Sequence, residues 1–186
     1  MRTDRRPETR RTRALIPAAV AAFVLAQAAT AQAHVSLETR EAPVGAGYKA
    51  VFKTPHGCKG APTTTLRVKI PEGVIAVKPM PKPGWTLQTV KGPYAKTYDF
   101  YHGAKLSEGV VEVIWSGGEL PDAFYDEFVL SGFLAPDLPV GGTLYFPVVQ
   151  ECPGGAAERW IEIPQGGQPG AALDKPAPGL TLLPKR

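Results

Sequence analysis

The chain of 186 residues has only two cysteines, three histidines and two methionines, and each shortage closes a line of chemistry. Two thiols without a third soft ligand make a poor thiolate metal centre, and Cys58 and Cys152 are too far apart to form a C-x-x-C redox pair. Met80 is the one methionine beyond the first residue, which argues against a methionine-rich Cu(I) carrier. Catalytic signatures are missing too: there is no G-x-S-x-G elbow, phosphate-cradling glycine loop, H-E-x-x-H or dinucleotide fingerprint. Asp126 and Glu127 are adjacent on an expected strand, so their carboxylates point to opposite faces and do not form an acid/base pair. No segment sustains an apolar repeat at helical spacing. The residues therefore predict a protein that is not an enzyme.

The first 33 residues read as an export signal. Six arginines, ending at Arg13, precede the apolar run "ALIPAAVAAFVLA", and the small-residue triplet Ala31-Gln32-Ala33 closes the segment. That order of basic, apolar and A-x-A parts is a secretory signal peptide, so residues 1–33 are expected to be removed on export to the periplasm or beyond. The leader holds six of the 21 basic residues and two of the 17 acidic ones, so the rest carries 15 of each and is neutral. Neutrality, with no block of Lys or Arg, gives no basic face for nucleic acid or anionic lipid. The closing "GLTLLPKR" is no membrane anchor.

What remains is a series of short alternating segments. "YKAVFKT", "TTLRVKI" and "GVVEVIW" alternate apolar with polar residues as half-buried strands do, and "WTLQTVK", "KTYDFYH", "DEFVLSGFL", "TLYFPVVQ" and "ERWIEI" continue the pattern. Gly/Pro-rich stretches separate them: "HGCKGAP", "PMPKPG", "SGGELPD", "APDLPVGG" and "CPGGAA". Eight to ten strands with short connections predict a single all-β domain, an antiparallel sandwich of two sheets over residues 34–164. Residues 165–186 are expected to be a Pro/Gly-rich tail with one edge strand at Thr181–Leu183. In an exported chain, Cys58 and Cys152 have one pairing open to them, a disulfide worth about 4 to 5 kcal/mol in the chain-entropy model.

Cleavage after Ala33 would make His34 the first residue, with a free α-amine beside its imidazole. Such groups titrate at about 7.7 and 6.5, so both nitrogens can shed protons near neutral pH and chelate one ion. Nitrogen donors of this kind suit Cu(II), which leads the divalent series in affinity. His56, in a turn beside Cys58, can face solvent or reach across to the N-terminus; His102, at a strand end, reads as a surface residue. Trp85, Trp115 and Trp160 read as core rings, with Trp160 able to approach a site at the His56 turn if the disulfide ties the two regions. Glu38, Glu158 and Glu162 are the carboxylates that could add an oxygen ligand.

These residues carry a resemblance. A signal peptide ending at A-H-V, then "PTTTLRVKIPEGV", "VKPMPKPGWTL", "WSGGELPD", "YDEF" and a late Trp, together resemble the YcnI-like family of exported copper-binding proteins, over essentially the whole chain after residue 33. The resemblance implies an immunoglobulin-like or cupredoxin-like sandwich that binds Cu(II) through a mono-histidine brace. It implies His34 as the brace and Trp160 as the tryptophan beside the metal. The family's Bacillus-type member adds a glutamate early in its second strand, where this chain has Tyr48; the departure leaves His56, then Glu38, or water to complete the site. "HGC" with a late second cysteine is similar to the proteobacterial branch, which fits a periplasmic address and a role in copper buffering, trafficking or hand-on to other periplasmic or membrane copper-handling proteins. Two alternatives stand beside it: a copper-dependent oxidative enzyme like the polysaccharide monooxygenases, with His56 as second histidine, and a metal-free interaction sandwich.

Overall fold

Alternation is what builds the sheets. In Gly47–Thr54 (β3) the residues Tyr48, Ala50, Phe52 and Thr54 are buried at every second position, and Lys49 and Lys53 between them reach outward. The computed structural model describes residues 34–165 and 173–185; the expected signal peptide lies outside these, as does part of the expected tail. The other strands are β1 (Ser36–Leu37), β2 (Glu41–Pro43), β4 (Thr63–Lys69), β5 (Val74–Pro79), β6 (Thr86–Asp99) and β7 (Lys105–Leu120). They continue with β8 (Asp126–Leu134), β9 (Thr143–Tyr145), β10 (Val148–Glu151), β11 (Ala157–Trp160) and β12 (Gly179–Leu183).

One sheet has the order β1-β3-β8-β5 and a second β11-β10-β4-β7-β6, with a small third sheet β2-β12-β9 beside them. The fold is an all-β sandwich, as the alternating segments predict. Between the main sheets lie Phe52, Leu66, Trp115, Phe128, Leu130, Phe146 and Val148, each essentially inaccessible. Each such side chain contributes about 1.5 to 3 kcal/mol by leaving water. Trp115 also donates its indole N–H to the Met80 carbonyl at 3.1 Å, which settles the one polar atom of a ring buried edge-on against Phe128. No helix among the described residues is long and apolar enough to cross a membrane.

Three expectations are corrected. "WTLQTVK" and "KTYDFYH" are not separate strands: both fall in or beside β6, which pairs with β7 across register shifts at Val90/Lys91 and Pro93/Tyr98. Gly92 and Pro93 stay in the strand between these shifts, paired with Gly109 and Glu108. β7 likewise runs through "SGGEL" to Leu120, because Gly118 packs against the Trp85 indole so closely that a Cβ would lie 2.2 Å from it. Finally, the end of the chain is not an edge. β12 runs parallel to β2 and antiparallel to β9, and its Leu180 and Leu182 are in the core. The strand itself is legible in "LTLL", but its flanking partners β2 and β9 lie too far along the chain to be read from it.

Candidate metal centre

At one end of the sandwich, two hairpin turns are clamped together. The first follows β3. Cys58 and Ala61 exchange backbone hydrogen bonds of 2.9 and 3.1 Å around Lys59 and Gly60, whose φ angles of 51° and 90° give the doubly left-handed turn that suits a tight hairpin. Gly57 precedes it because nothing larger fits: a Cβ there would lie 1.8 Å from the Ala61 carbonyl oxygen. Its N–H donates to Asp122 Oδ1 at 2.9 Å, fixing the turn from the far side. The second turn, Pro153–Gly155, joins β10 to β11 in a register that sets Gln150 opposite Glu158 and Val148 opposite Trp160. The Cys58–Cys152 disulfide, with Cα atoms 6.1 Å apart, ties one turn to the other.

Trp160 lies at the end of edge strand β11, 4% exposed, and two imidazoles pack on its indole. His34 is centred 5.0 Å from it and tilted 57°; His56 is centred 6.2 Å away and nearly perpendicular, at 78°. The His56 Nδ1 lies within hydrogen-bond distance of the Gly57 carbonyl. A carbonyl only accepts, so Nδ1 carries the proton and, in the neutral ring, the lone pair sits on Nε2. Metal-binding histidines are commonly oriented by such a bond from the ring nitrogen that does not meet the ion.

Around the rings lies a polar frame. Gln150 is fully buried, and its amide meets three groups: Nε2 donates to the His56 carbonyl and, at 2.6 Å, to Thr63 Oγ1, while Oε1 accepts the Trp160 indole N–H at 3.2 Å. Behind them, Glu158 is nearly buried and pairs with Lys175, whose ammonium lies 6.0 Å from the Trp160 ring centroid. The hydrogen bond to Glu158 holds the Lys175 pKa above its ordinary value. Lys175 also donates its backbone N–H to Glu162 Oε2 at 3.0 Å. A cavity of about 310 Å³ opens beside this pair, lined by Cys58, Lys59, Ala156, Ala157, Glu158 and Lys175.

The structure therefore brings together His34, His56, Trp160 and the Cys58–Cys152 pair. Tyr48 stands elsewhere. It pairs with Gly132, toward the far end of β3 from the His56 turn, and donates its hydroxyl to the Thr39 carbonyl at 2.7 Å. Burial pushes its phenol pKa up, so it is a neutral donor and no substitute for a carboxylate ligand. Glu38 is exposed, four residues along the extended chain from His34, a span of about 13 Å. Glu158 and Glu162 are engaged by Lys175. His102 is on an exposed turn, Tyr101–Gly103, at φ 57°. Among the described residues, no three His, Cys, Asp or Glu side chains form a group able to hold a metal. Gln150, Asp122 and Lys175 were not legible as site residues. Glutamine has no metal chemistry to flag it, and only its place in the alternation of "VVQE" could have marked Gln150 as inward-facing.

Residues 34–182 match the family model described as a domain of unknown function, DUF1775. Comparison with curated proteins gives no match. Among solved structures, one from Nocardia farcinica, described as an uncharacterized protein with an immunoglobulin-like fold, is 26% identical. The match covers 81% of this chain and 98% of that one, with a TM-score of 0.58.

Proposed function

This chain belongs to the DUF1775 family, and from that premise we propose that it is an exported Cu(II)-binding protein of the YcnI-like kind, whose cargo is held at His34. What carries the reading is the convergence of His34 and His56, from separate segments, on the Trp160 indole. The match to the family begins at His34 itself, the residue that signal cleavage after Ala33 would expose. Two imidazoles alone are too few donors for a firm site, so the amine freed by cleavage is the group that completes a nitrogen set suited to Cu(II). His56 takes the place of the glutamate of the Bacillus-type member, because its imidazole packs on the same indole as His34. Trp160 gives both rings an apolar wall. On this reading the role is to buffer copper or pass it to another exported protein.

Titration calorimetry tests this on protein beginning at His34 against protein with one additional residue before it. Tight 1:1 Cu(II) binding only in the first form is expected; equal affinity in both would defeat the brace. Because protons compete for the same nitrogens, affinity should fall as the solution is made more acid, and a flat response would count equally against it. Ascorbate, oxygen and chitin or cellulose added to the copper form separate the enzyme alternative. Release of oxidised oligosaccharides would establish it.

A further inference from the structure

We infer that Gln150 is the positioning residue of this centre: one buried amide sets both the indole wall and the His56 turn, and so decides whether His34 and His56 meet one ion. The inference rests on the copper reading for its function, but its structural half stands alone. Gln150 is inaccessible to solvent, sits on β10 between β4 and the edge strand β11, and pairs with Leu66 on one side and Glu158 on the other. An amide there is costly unless its hydrogen bonds are made. Three of them are made, and two go to residues of the candidate site.

The partners also dictate which way the amide points. An indole N–H can only donate, so the oxygen must face Trp160; the His56 carbonyl can only accept, so the nitrogen must face the turn. A flipped amide would lose both bonds at once. The Trp160 ring is therefore held at its nitrogen by Gln150 and carries His34 and His56 on its surface. The same side chain grips the backbone of His56 two residues before Cys58, and Gln150 itself lies two residues before Cys152. Disulfide and amide are two parallel ties between one pair of segments. The disulfide limits how far these segments part; the amide sets their angle.

The test uses protein beginning at His34 in its wild-type, Gln150→Leu and Gln150→Glu forms, with Val113→Ala as a core variant that loosens the fold elsewhere. In the metal-free protein, the Trp160 indole N–H resonance and the His56 ring resonances should move in Gln150→Leu. In Gln150→Glu, which keeps the acceptor but loses both donors, the indole signal should stay closer to wild type than the His56 signals. Cu(II) affinity should fall about 10- to 100-fold in Gln150→Leu, the usual cost of removing a group that orients a ligand from behind. It should hold in Val113→Ala despite a lowered Tm. Unchanged ring resonances in a folded Gln150→Leu would overturn the positioning role, as would an affinity loss matched by Val113→Ala. If Gln150→Leu fails to fold, Gln150→Glu and Thr63→Val, which removes the third partner of the amide, give the same readouts. A wild-type protein that binds no Cu(II) would sink the copper reading, and the metal-free resonances would still judge Gln150.

Discussion

The molecule has two aromatic clusters with a histidine nearby, and they are built differently. At the disulfide end, Trp160 with His34 and His56 is wired by hydrogen bonds to Gln150, Thr63 and the His56 backbone. In the arm where β6 turns into β7, Phe100 and Tyr101 pack ring on ring with Phe133 of β8 at 4.8 to 5.5 Å, beside a small core of Ile75, Tyr98 and Ala135. There His102 sits on an exposed turn with no ring contact among the described residues. Apolar contact holds rings together but leaves their rotation loosely specified, whereas directional bonds fix an orientation. A site that must present nitrogen lone pairs to one ion needs the second kind of construction; an arm that only closes the end of a sandwich does not.

The strongest way to break this contrast is to remove the clamp. Cys58→Ala with Cys152→Ala opens a loop whose ends are 94 residues apart, and should lower stability by about 4 to 5 kcal/mol in urea unfolding. Cu(II) affinity should fall with it. Next, Ile75→Ala empties a fully buried site under the arm and should cost about 3 kcal/mol, yet leave Cu(II) affinity within error of wild type. A loss of copper binding there would mean the two ends are not separable.

Glu72 sharpens the comparison, because it is the arm's own polar tie. Its carboxylate accepts the Tyr98 hydroxyl at 2.6 Å and the Ala95 N–H at 3.1 Å. Glu72→Gln should cost about 1 to 2 kcal/mol at neutral pH. Tyr98 has its pKa raised above the ordinary 10.0, first by burial and then by this hydrogen bond. A phenol raised in the folded state stabilises the fold below its unfolded pKa and loses that contribution as pH climbs past it. The gap between wild type and Glu72→Gln should therefore narrow above pH 10, as denaturation curves taken across that range will report. The smallest effect is expected at Thr54, a fully buried residue whose hydroxyl has no hydrogen-bond partner among the described residues. Thr54→Val keeps the shape and deletes an unsatisfied polar atom, so its Tm should be unchanged or higher by an amount worth less than about 1 kcal/mol.

Much of this architecture is written in local pattern. The alternation in "YKAVFKT" and "TTLRVKI" becomes β3 and β4, and the only two cysteines could pair in only one way. His34 and His56 stand out because imidazole is a chemically conspicuous group. What could not be read depends on partners far along the chain. The length of β6 rests on bulges that its neighbour tolerates, and β12, expected as an edge strand, lies inside a sheet because β2 and β9 flank it. Tyr48 matched by position in a strand, but β3 carries it away from the turn that holds His56. Gln150 is an ordinary residue type whose role exists only in its three partners.

β12 has one more implication, for the order in which the molecule is completed. It slots between an early strand and a late one, with the parallel contact reaching back to Glu41–Pro43. A polypeptide made N-terminus first can assemble both large sheets while Leu180 and Leu182 are still absent, but it leaves β2 and β9 with bare backbone and an open apolar slot. Closure waits for Gly179–Leu183, so an incomplete chain is sticky at that seam, and a truncation ahead of Gly179 would remain so.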